Sequence, residues 1–247
     1  MRKNILITGA SSGLGEEMAR QFAAKGRNLA LCARRVERLD ALRDELTSTG
    51  VTVITRELDV NDHDAVFATF TGLGDELGGL DRVIVNAGLG KGARIGTGRF
   101  DANRATAMTN FVAGLAQCEA AMTLFREANA GHLVVVSSVS ALRGMPGSIT
   151  VYAATKAGIA VLAEGIRSDV LGSPIKVTTL FPGYICSEMN EQVAQRVRFM
   201  ADTEPGVRAM VAAIEREPAE AVVPAWPWRT LAPAIRHLPL RLVRKLT

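Results

Sequence analysis

Short apolar runs alternate along this chain with longer stretches in which apolar positions recur every three or four residues. Asn4–Ile7, Asn28–Ala33, Arg82–Val85, His132–Ser138 and Ile175–Phe181 are nearly uninterrupted, the pattern of strands covered on both faces. Val51–Ile54 begins a further strand running to Leu58-Asp59-Val60, and Ala221–Pro224 reads as the last one. Between them lie helical stretches. Leu14, Met18 and Phe22 fall four apart and Gly26 follows as a left-handed cap, while Leu39, Leu42 and Leu46 share a face within 36–48. Residues 62–77 and 102–127 continue the alternation, a helix carrying Tyr152 ends at Ser173-Pro174, and 188–217 reads as two helical pieces around Pro205-Gly206. This order predicts an α/β fold, a single doubly wound parallel sheet (Rossmann-like, about seven strands) flanked by helices, with ligands at the carboxyl ends of the strands. It spans residues 1–225 and contains no internal repeat or low-complexity segment.

The first strand runs into Thr8-Gly9-Ala10-Ser11-Ser12-Gly13-Leu14-Gly15 and then a helix. Glycines let the backbone approach a ligand, and the first amides of a helix point at an anion, so the turn is a place for a pyrophosphate. Its Gly-x-x-x-Gly-x-Gly spacing differs from the Gly-x-Gly-x-x-Gly of the common dinucleotide fingerprint. The second strand ends in Ala33-Arg34-Arg35, where NAD-binding proteins carry an acid for the adenosine ribose. A carboxylate there repels a 2′-phosphate, whereas a guanidinium holds one through charge-assisted bonds. Arg34 and Arg35 therefore predict NADP(H) over NAD(H). Their other reading is a solvated helix cap.

Tyr152 and Lys156 stand four apart, on one face of a helix. A phenol titrates near pH ~10 unaided, and an ammonium held close favours the phenolate. Ser138, at the end of its strand, would point its hydroxyl into the same space. Together the three can polarise a carbonyl oxygen and hand it a proton. A Tyr-x-x-x-Lys by itself is commonly a surface pair. The order of the other signals is what makes this one specific.

With those signals in order, the chain resembles the short-chain dehydrogenase/reductase family along essentially its whole length. The resemblance implies NADPH delivering hydride to a carbonyl, with Ser138 bonding the oxygen, Tyr152 protonating it and Lys156 lowering the Tyr152 pKa and holding the nicotinamide ribose. It carries further roles over: Thr8, Gly9, Ser11, Ser12, Gly13, Leu14 and Gly15 for the cofactor turn, and Asp59 and Val60 for the adenine. Asn86, Ala87 and Gly88 match the family's Asn-Ala-Gly, in which Asn86 supports the sheet. Asn110 would break its helix locally and hold a proton-relaying water. Pro182, Gly183 and Ser187, a serine where threonine is commoner, would touch the nicotinamide end. Ser138 precedes Tyr152 by one residue more than is usual, which places an extra residue between Pro146 and Tyr152 and leaves Ser140 as the lesser candidate. An NADPH sensor without turnover, or a structural module, is the other class of function, and the intact Ser138, Tyr152 and Lys156 set argues against it.

The 247 residues, 48% apolar and 22% charged, exclude a disordered chain. No uninterrupted apolar run reaches ~18 residues, and the N-terminus enters a strand directly, so neither a spanning helix nor a signal peptide is expected. Cys32, Cys118 and Cys186 have neither disulfide-framework nor metal-site spacing, which implies no metal and a reducing, cytoplasmic setting. The net charge of +4 resides in the tail: without Arg229, Arg236, Arg241, Arg244 and Lys245, 24 basic residues face 25 acidic ones. That balance points to no nucleic-acid partner.

The tail, 226–247, has Leu231, Ile235, Leu238, Leu242 and Leu246 on one helical face, with Arg229, Arg236 and Arg244 opposite and Arg241 and Lys245 at the flank. Trp226 and Trp228 lead in, and Pro233 and Pro239 predict two short helical pieces. A peripheral membrane or lipid-substrate contact is one reading. Packing of the leucines on the body or on a second subunit is the other. The family resemblance makes 188–217 the substrate lid, in which Met189, Val193, Val197, Phe199 and Met200 fit either an apolar substrate or internal packing, and Lys91 and Arg94 make the glycine-rich loop after Gly88 basic. A weaker resemblance, to actinobacterial reductases of long-chain 3-oxo lipids, implies an apolar 3-oxo substrate and lipid metabolism. Short 3-oxoacyl thioesters, steroids, polyketides and sugars stay open. Helices 102–127 and 152–171 are apolar on more than one face and need a second burial partner besides the sheet. The family resemblance implies the same helices of a second copy, in a homodimer or homotetramer, and the other reading is the chain's own tail.

Overall fold

The computed structural model describes residues 2–90, 92–189 and 199–242, and the backbone alone of Ala234. Its strands are β1 (Asn4–Thr8), β2 (Asn28–Ala33), β3 (Val53–Glu57), β4 (Arg82–Val85), β5 (Gly131–Val136), β6 (Ile175–Pro182) and β7 (Glu220–Val223). They form one seven-stranded sheet, all parallel, in the order β3-β2-β1-β4-β5-β6-β7. The winding reverses between β1 and β4, and the crevice above their carboxyl ends is where such sheets bind ligands.

Alternate strand residues serve opposite cores. Ile5, Ile7, Leu29 and Leu31 pack under α1 (Gly13–Ala23), α2 (Val36–Thr47) and α7 (Thr203–Glu215), with Met18, Phe22, Leu39 and Met210 facing them. Leu6, Ala30, Val83 and Val85 pack under α3 (His63–Leu77), α5 (Ala113–Glu127) and α6 (Thr150–Asp169), against Phe70, Phe125 and Ile159. Burial on both faces is why these strands read as continuous apolar runs.

Several boundaries differ from the sequence expectation. The strand expected to reach Val60 ends at Glu57, leaving Asp59 and Val60 in the loop, and the N-cap of α3 is Asp62, whose side chain accepts from Ala65 N. Helix 102–127 is α4 (Phe100–Ala107), a five-residue π-turn (Met108–Val112) and α5 without interruption of the coil. Pro205 does not divide two helices. It sits in the first turn of α7, where the amide it lacks would have had no acceptor. Among the described residues the tail is two helical pieces as expected, α8 (Ala225–His237) and a turn at 240–242 after Pro239, but Pro233 lies within α8 and does not stop it. Trp228 and Ala232 are buried on the inner face, and Arg143 donates to the carbonyls of Arg236 (3.3 Å) and Leu238 (3.2 Å) at its end. Those contacts hold the helix through the missing bond. Lys91, the lid positions Val193 and Val197, and Arg244, Lys245 and Leu246 lie outside the described residues.

At the opposite end of the sheet, Arg82 is a charged side chain 1% exposed. Its Nε donates to His132 Nδ1 (2.8 Å) and its Nη1 to Glu215 (2.6 Å). Because His132 Nδ1 accepts, the ring proton is on Nε2, which faces Thr178 Oγ1 at 2.9 Å, and that hydroxyl donates to Pro218 O at 2.6 Å. Burial, then the Arg82 charge, pushes the His132 pKa down to about 3, so the ring is neutral and its approach to Glu217 is no ion pair. The chain of bonds ties β4, β5 and β6 to the end of α7 and the entry to β7.

Candidate active site

The glycine turn crosses from β1 to α1 against the end of β4. Gly9 and Gly13 hold φ of +67° and +56°, a region that side-chain-bearing residues avoid. A Cβ on Gly15 would overlap Gly9 O and stand 2.7 Å from Asn86 Nδ2. Thr8 and Asn86 set that spacing: Thr8 Oγ1 accepts from the amides of Asn86 and Ala87, both at 3.1 Å, and Asn86 Nδ2 donates to Thr8 O at 2.9 Å. Thr8 is fully buried with its hydroxyl committed to backbone, so it shapes the turn from behind. Ser12 is the N-cap of α1 and makes no side-chain bond to it, which leaves the first-turn amides for an anion. Turn, missing side chains and amides fit the pyrophosphate of a dinucleotide.

Ser138, Tyr152, Lys156 and Asn110 converge above β4 and β5. The Ser138 hydroxyl is turned toward the Tyr152 phenol and favours its ionised form. Ser138 Oγ also accepts from Ser140 N at 3.1 Å, which leaves its own proton to donate. The preceding Ser137 is buried and donates to Lys156 O at 2.7 Å, so it faces away. The Ser140 hydroxyl is turned to Tyr184. A short 3-10 turn, Gly147–Ile149, fills the interval between Pro146 and the start of α6. Lys156 Nζ donates to Val136 O at 2.8 Å and lies 5.9 Å from the centre of the Tyr152 ring.

Asn110 is held by the π-turn. Its Oδ1 accepts from Leu89 N (2.7 Å), and its Nδ2 donates to Leu89 O (2.9 Å) and Thr155 Oγ1 (3.3 Å). A Cβ on Gly88 would come within 3.4 Å of Asn110 Oδ1 and 3.5 Å of Lys156 Nζ, so Gly88 is the floor both side chains share.

The electrostatics depart from the expectation that Lys156 lowers the Tyr152 pKa. Burial pushes Lys156 down to about 8. Burial also pushes Tyr152 above its ordinary value; the Ser138 hydroxyl pulls the other way and the nearby Tyr184 adds to the rise. Desolvation dominates both groups, and the ammonium donates to a carbonyl of β5.

Of the two arginines after β2, Arg35 faces the turn: its Nε donates to Ser11 Oγ (3.2 Å) and its Nη2 to Ser12 Oγ (2.6 Å). Arg34 is exposed and sits near the exposed Asp59, which is bonded to Asn61; Val60 is buried. Ser187 lies over the turn, its Cβ 3.2 Å from where a Gly13 Cβ would stand. Three participants escaped the sequence reading. Arg38, one turn beyond Arg34 on α2, and Glu188 meet at 3.2 Å, and Tyr184 packs edge-on against Trp228 at 5.3 Å. The arginine spacing could have flagged Arg38. Nothing local marks Glu188.

The end of β6 explains the tail. Gly183 lies directly beneath Trp228, and a Cβ there would overlap the indole. Trp228, Ile235 and Leu238 pack on Val139, Leu142, Met145 and Ala153, the residues around Ser138 and Tyr152. The inner face of α8 is thus covered by the body, while Trp226, Leu240 and Leu242 are exposed.

A family model described as short chain dehydrogenase matches residues 3–198. An uncharacterized oxidoreductase of Mycobacterium tuberculosis (strain H37Rv) is 53% identical over 246 residues, 99% of this chain and 97% of its own length. A short-chain dehydrogenase from Sphingobium yanoikuyae in complex with NADPH superposes with a TM-score of 0.82 at 26% identity, over 94% of this chain and 93% of its own. A short chain dehydrogenase/reductase from Burkholderia phymatum in complex with NAD covers 100% of this chain and 96% of its own, with a TM-score of 0.86 at 21% identity.

Proposed function

The chain belongs to the short-chain dehydrogenase family, oxidoreductases of carbonyls and alcohols that use nicotinamide cofactors, and from that premise we propose that it is an NADPH-dependent reductase of apolar ketones. The observation that carries the reading is the Ser138–Tyr152 hydroxyl pair with Lys156 buried behind it. The dinucleotide, when bound, supplies the hydride. Gly9, Ser11, Ser12, Gly13, Leu14 and Gly15 would hold its pyrophosphate side, Arg34 and Arg35 its 2′-phosphate, and Asp59 and Val60 its adenine. Ala87, Gly88, Pro182, Gly183 and Ser187 would border the nicotinamide end.

Ser138, oriented by the Ser140 amide, donates to the substrate carbonyl oxygen and stabilises the charge that develops there. Tyr152 donates the proton. The phenol, whose pKa burial holds above its ordinary value, carries its proton at neutral pH and can donate it. Lys156, at about 8, stays cationic at neutral pH beside it and would hold the nicotinamide ribose. Asn110, locked to Leu89 and in reach of the Lys156 side, organises the water that returns the proton. The packed clusters next to Ser138 and Tyr152, Val139 and Leu142 with Trp228 and Ile235, and Met145 with Ala153, make the surroundings of the site apolar, which favours a long-chain 3-oxo acyl or similar lipid ketone over a sugar.

The test is Tyr152→Phe, assayed with NADPH against 3-oxo substrates of rising chain length. Reduction should fall by roughly 10²-fold or more, as for loss of a general acid, with NADPH binding by fluorescence retained. Wild-type activity in that variant refutes the mechanism, and activity that declines with chain length refutes the substrate class.

A further inference from the structure

We propose that Glu188 is an internal rival of the cofactor's 2′-phosphate and that it sets how strongly the protein prefers NADPH over NADH. The inference rests on the reading of Arg35 as a 2′-phosphate residue. All three nitrogens of the Arg35 guanidinium are engaged. Nε and Nη2 take the Ser11 and Ser12 hydroxyls of the glycine turn, which aims Nη1 across the mouth of the cleft. There Nη1 donates to both oxygens of Glu188, at 3.0 and 2.9 Å, and Arg38 adds a second cation at 3.2 and 3.4 Å.

The neighbours of Glu188 fix it in that place. Ser187 lies against Gly13, and Met189 reaches the far side, where a Cβ on Gly90 would stand 2.7 Å from Met189 Cγ. The strap from Ser187 to Met189 therefore spans the first glycine turn and the loop after β4. The main chain brings a carboxylate to the arginines from 153 residues away.

A carboxylate and a phosphate present the same face to a guanidinium, oxygens matched to its N–H donors. A 2′-phosphate carries close to two negative charges at neutral pH against one for Glu188, by analogy with other phosphate monoesters. Bound at Arg35, it must take the donor from Glu188 and then lie beside a like charge. The ribose hydroxyl of NADH makes no such demand and leaves Glu188 on both arginines. Glu188 thus weakens NADPH binding and spares NADH.

Glu188→Gln retains the size and removes the charge, and the side chain is 46% exposed, so the fold tolerates it. Dissociation constants for NADPH and NADH, read by cofactor fluorescence in wild type, Glu188→Gln and Arg35→Ala, decide the matter. Calorimetric titration with adenosine 2′,5′-bisphosphate and with AMP isolates the phosphate contribution. Two exposed ion pairs predict that Glu188→Gln binds NADPH and the bisphosphate roughly 2- to 30-fold more tightly, with NADH and AMP changed by less than about 2-fold. If Arg35→Ala weakens NADPH while Glu188→Gln leaves the NADPH-to-NADH ratio unchanged, the rivalry is wrong and the cofactor reading stands. If Arg35→Ala leaves NADPH affinity unchanged, both fall.

Discussion

Gly183→Ala tests whether the tail is part of the site. A Cβ at Gly183 would overlap Trp228 Nε1 and Cδ1 and reach Cε2 at 2.5 Å, so the indole cannot keep its place. If it tilts within its pocket, the change is an overpacking defect of about 1–3 kcal/mol. If it leaves, a ring that is now 5% exposed gives up the burial of an aromatic side chain, an upper limit of about 4–6 kcal/mol. Both routes loosen α8 from Val139 and Leu142, and the KM for an apolar ketone rises more than kcat falls. Urea unfolding gives the stability and intrinsic fluorescence the location. The chain has two tryptophans, of which Trp226 is 76% exposed, so displacement of Trp228 appears as a red shift. Gly144→Ala, with nothing within 4 Å of its Cβ, is the silent control. A Gly183→Ala protein within ~0.5 kcal/mol of wild type and unshifted in emission would refute the packing.

Acid should destabilise the protein through His132 before it touches the carboxylates. The folded pKa is about 3 against an unfolded value near ~6.5, so the unfolded chain takes up the proton first and stability falls as pH drops through that window, by about 1.4 kcal/mol per unit. Between pH 6.5 and pH 5 the loss is about 1.6 kcal/mol by urea unfolding, and a His132→Asn protein should lack that slope. Lys156, pushed down to about 8, loses its charge above that pH, so kcat/KM for reduction should decline on the alkaline side of pH ~8 and acidic buffers should not reproduce the decline. Met108, Phe111 and Val161 are exposed apolar residues on the π-turn and α6, and we expect a second copy to cover them: sedimentation at micromolar concentration should show a dimer or larger, shifted toward monomer by Val161→Glu.

What the sequence discloses here divides by range. Strands buried on both faces announce themselves as apolar runs, and the glycine turn announces itself because Gly9 and Gly13 need positive φ and Gly15 needs a missing side chain. Those are demands a residue makes on its immediate surroundings. Pro205 and Pro233 misled for the same reason. Taken locally each breaks a helix, but one falls where no amide donor is needed, and the other lies in a helix pinned by Trp228, Ala232 and Arg143. Tertiary contact overrode propensity in the tail. No window of sequence holds both partners.

The site shows the same division. That Tyr152 and Lys156 share a helical face follows from their spacing, yet which way charge moves between them does not. It depends on burial, and the ammonium donates to Val136 O at 2.8 Å. Burial then raises the phenol and lowers the amine, the opposite of an ion pair's effect on a phenol. A phenol kept protonated and a lysine near 8 make a proton donor at neutral pH with a cation behind it. Which way each pKa moves therefore comes from desolvation, and only the presence of the pair from the chain.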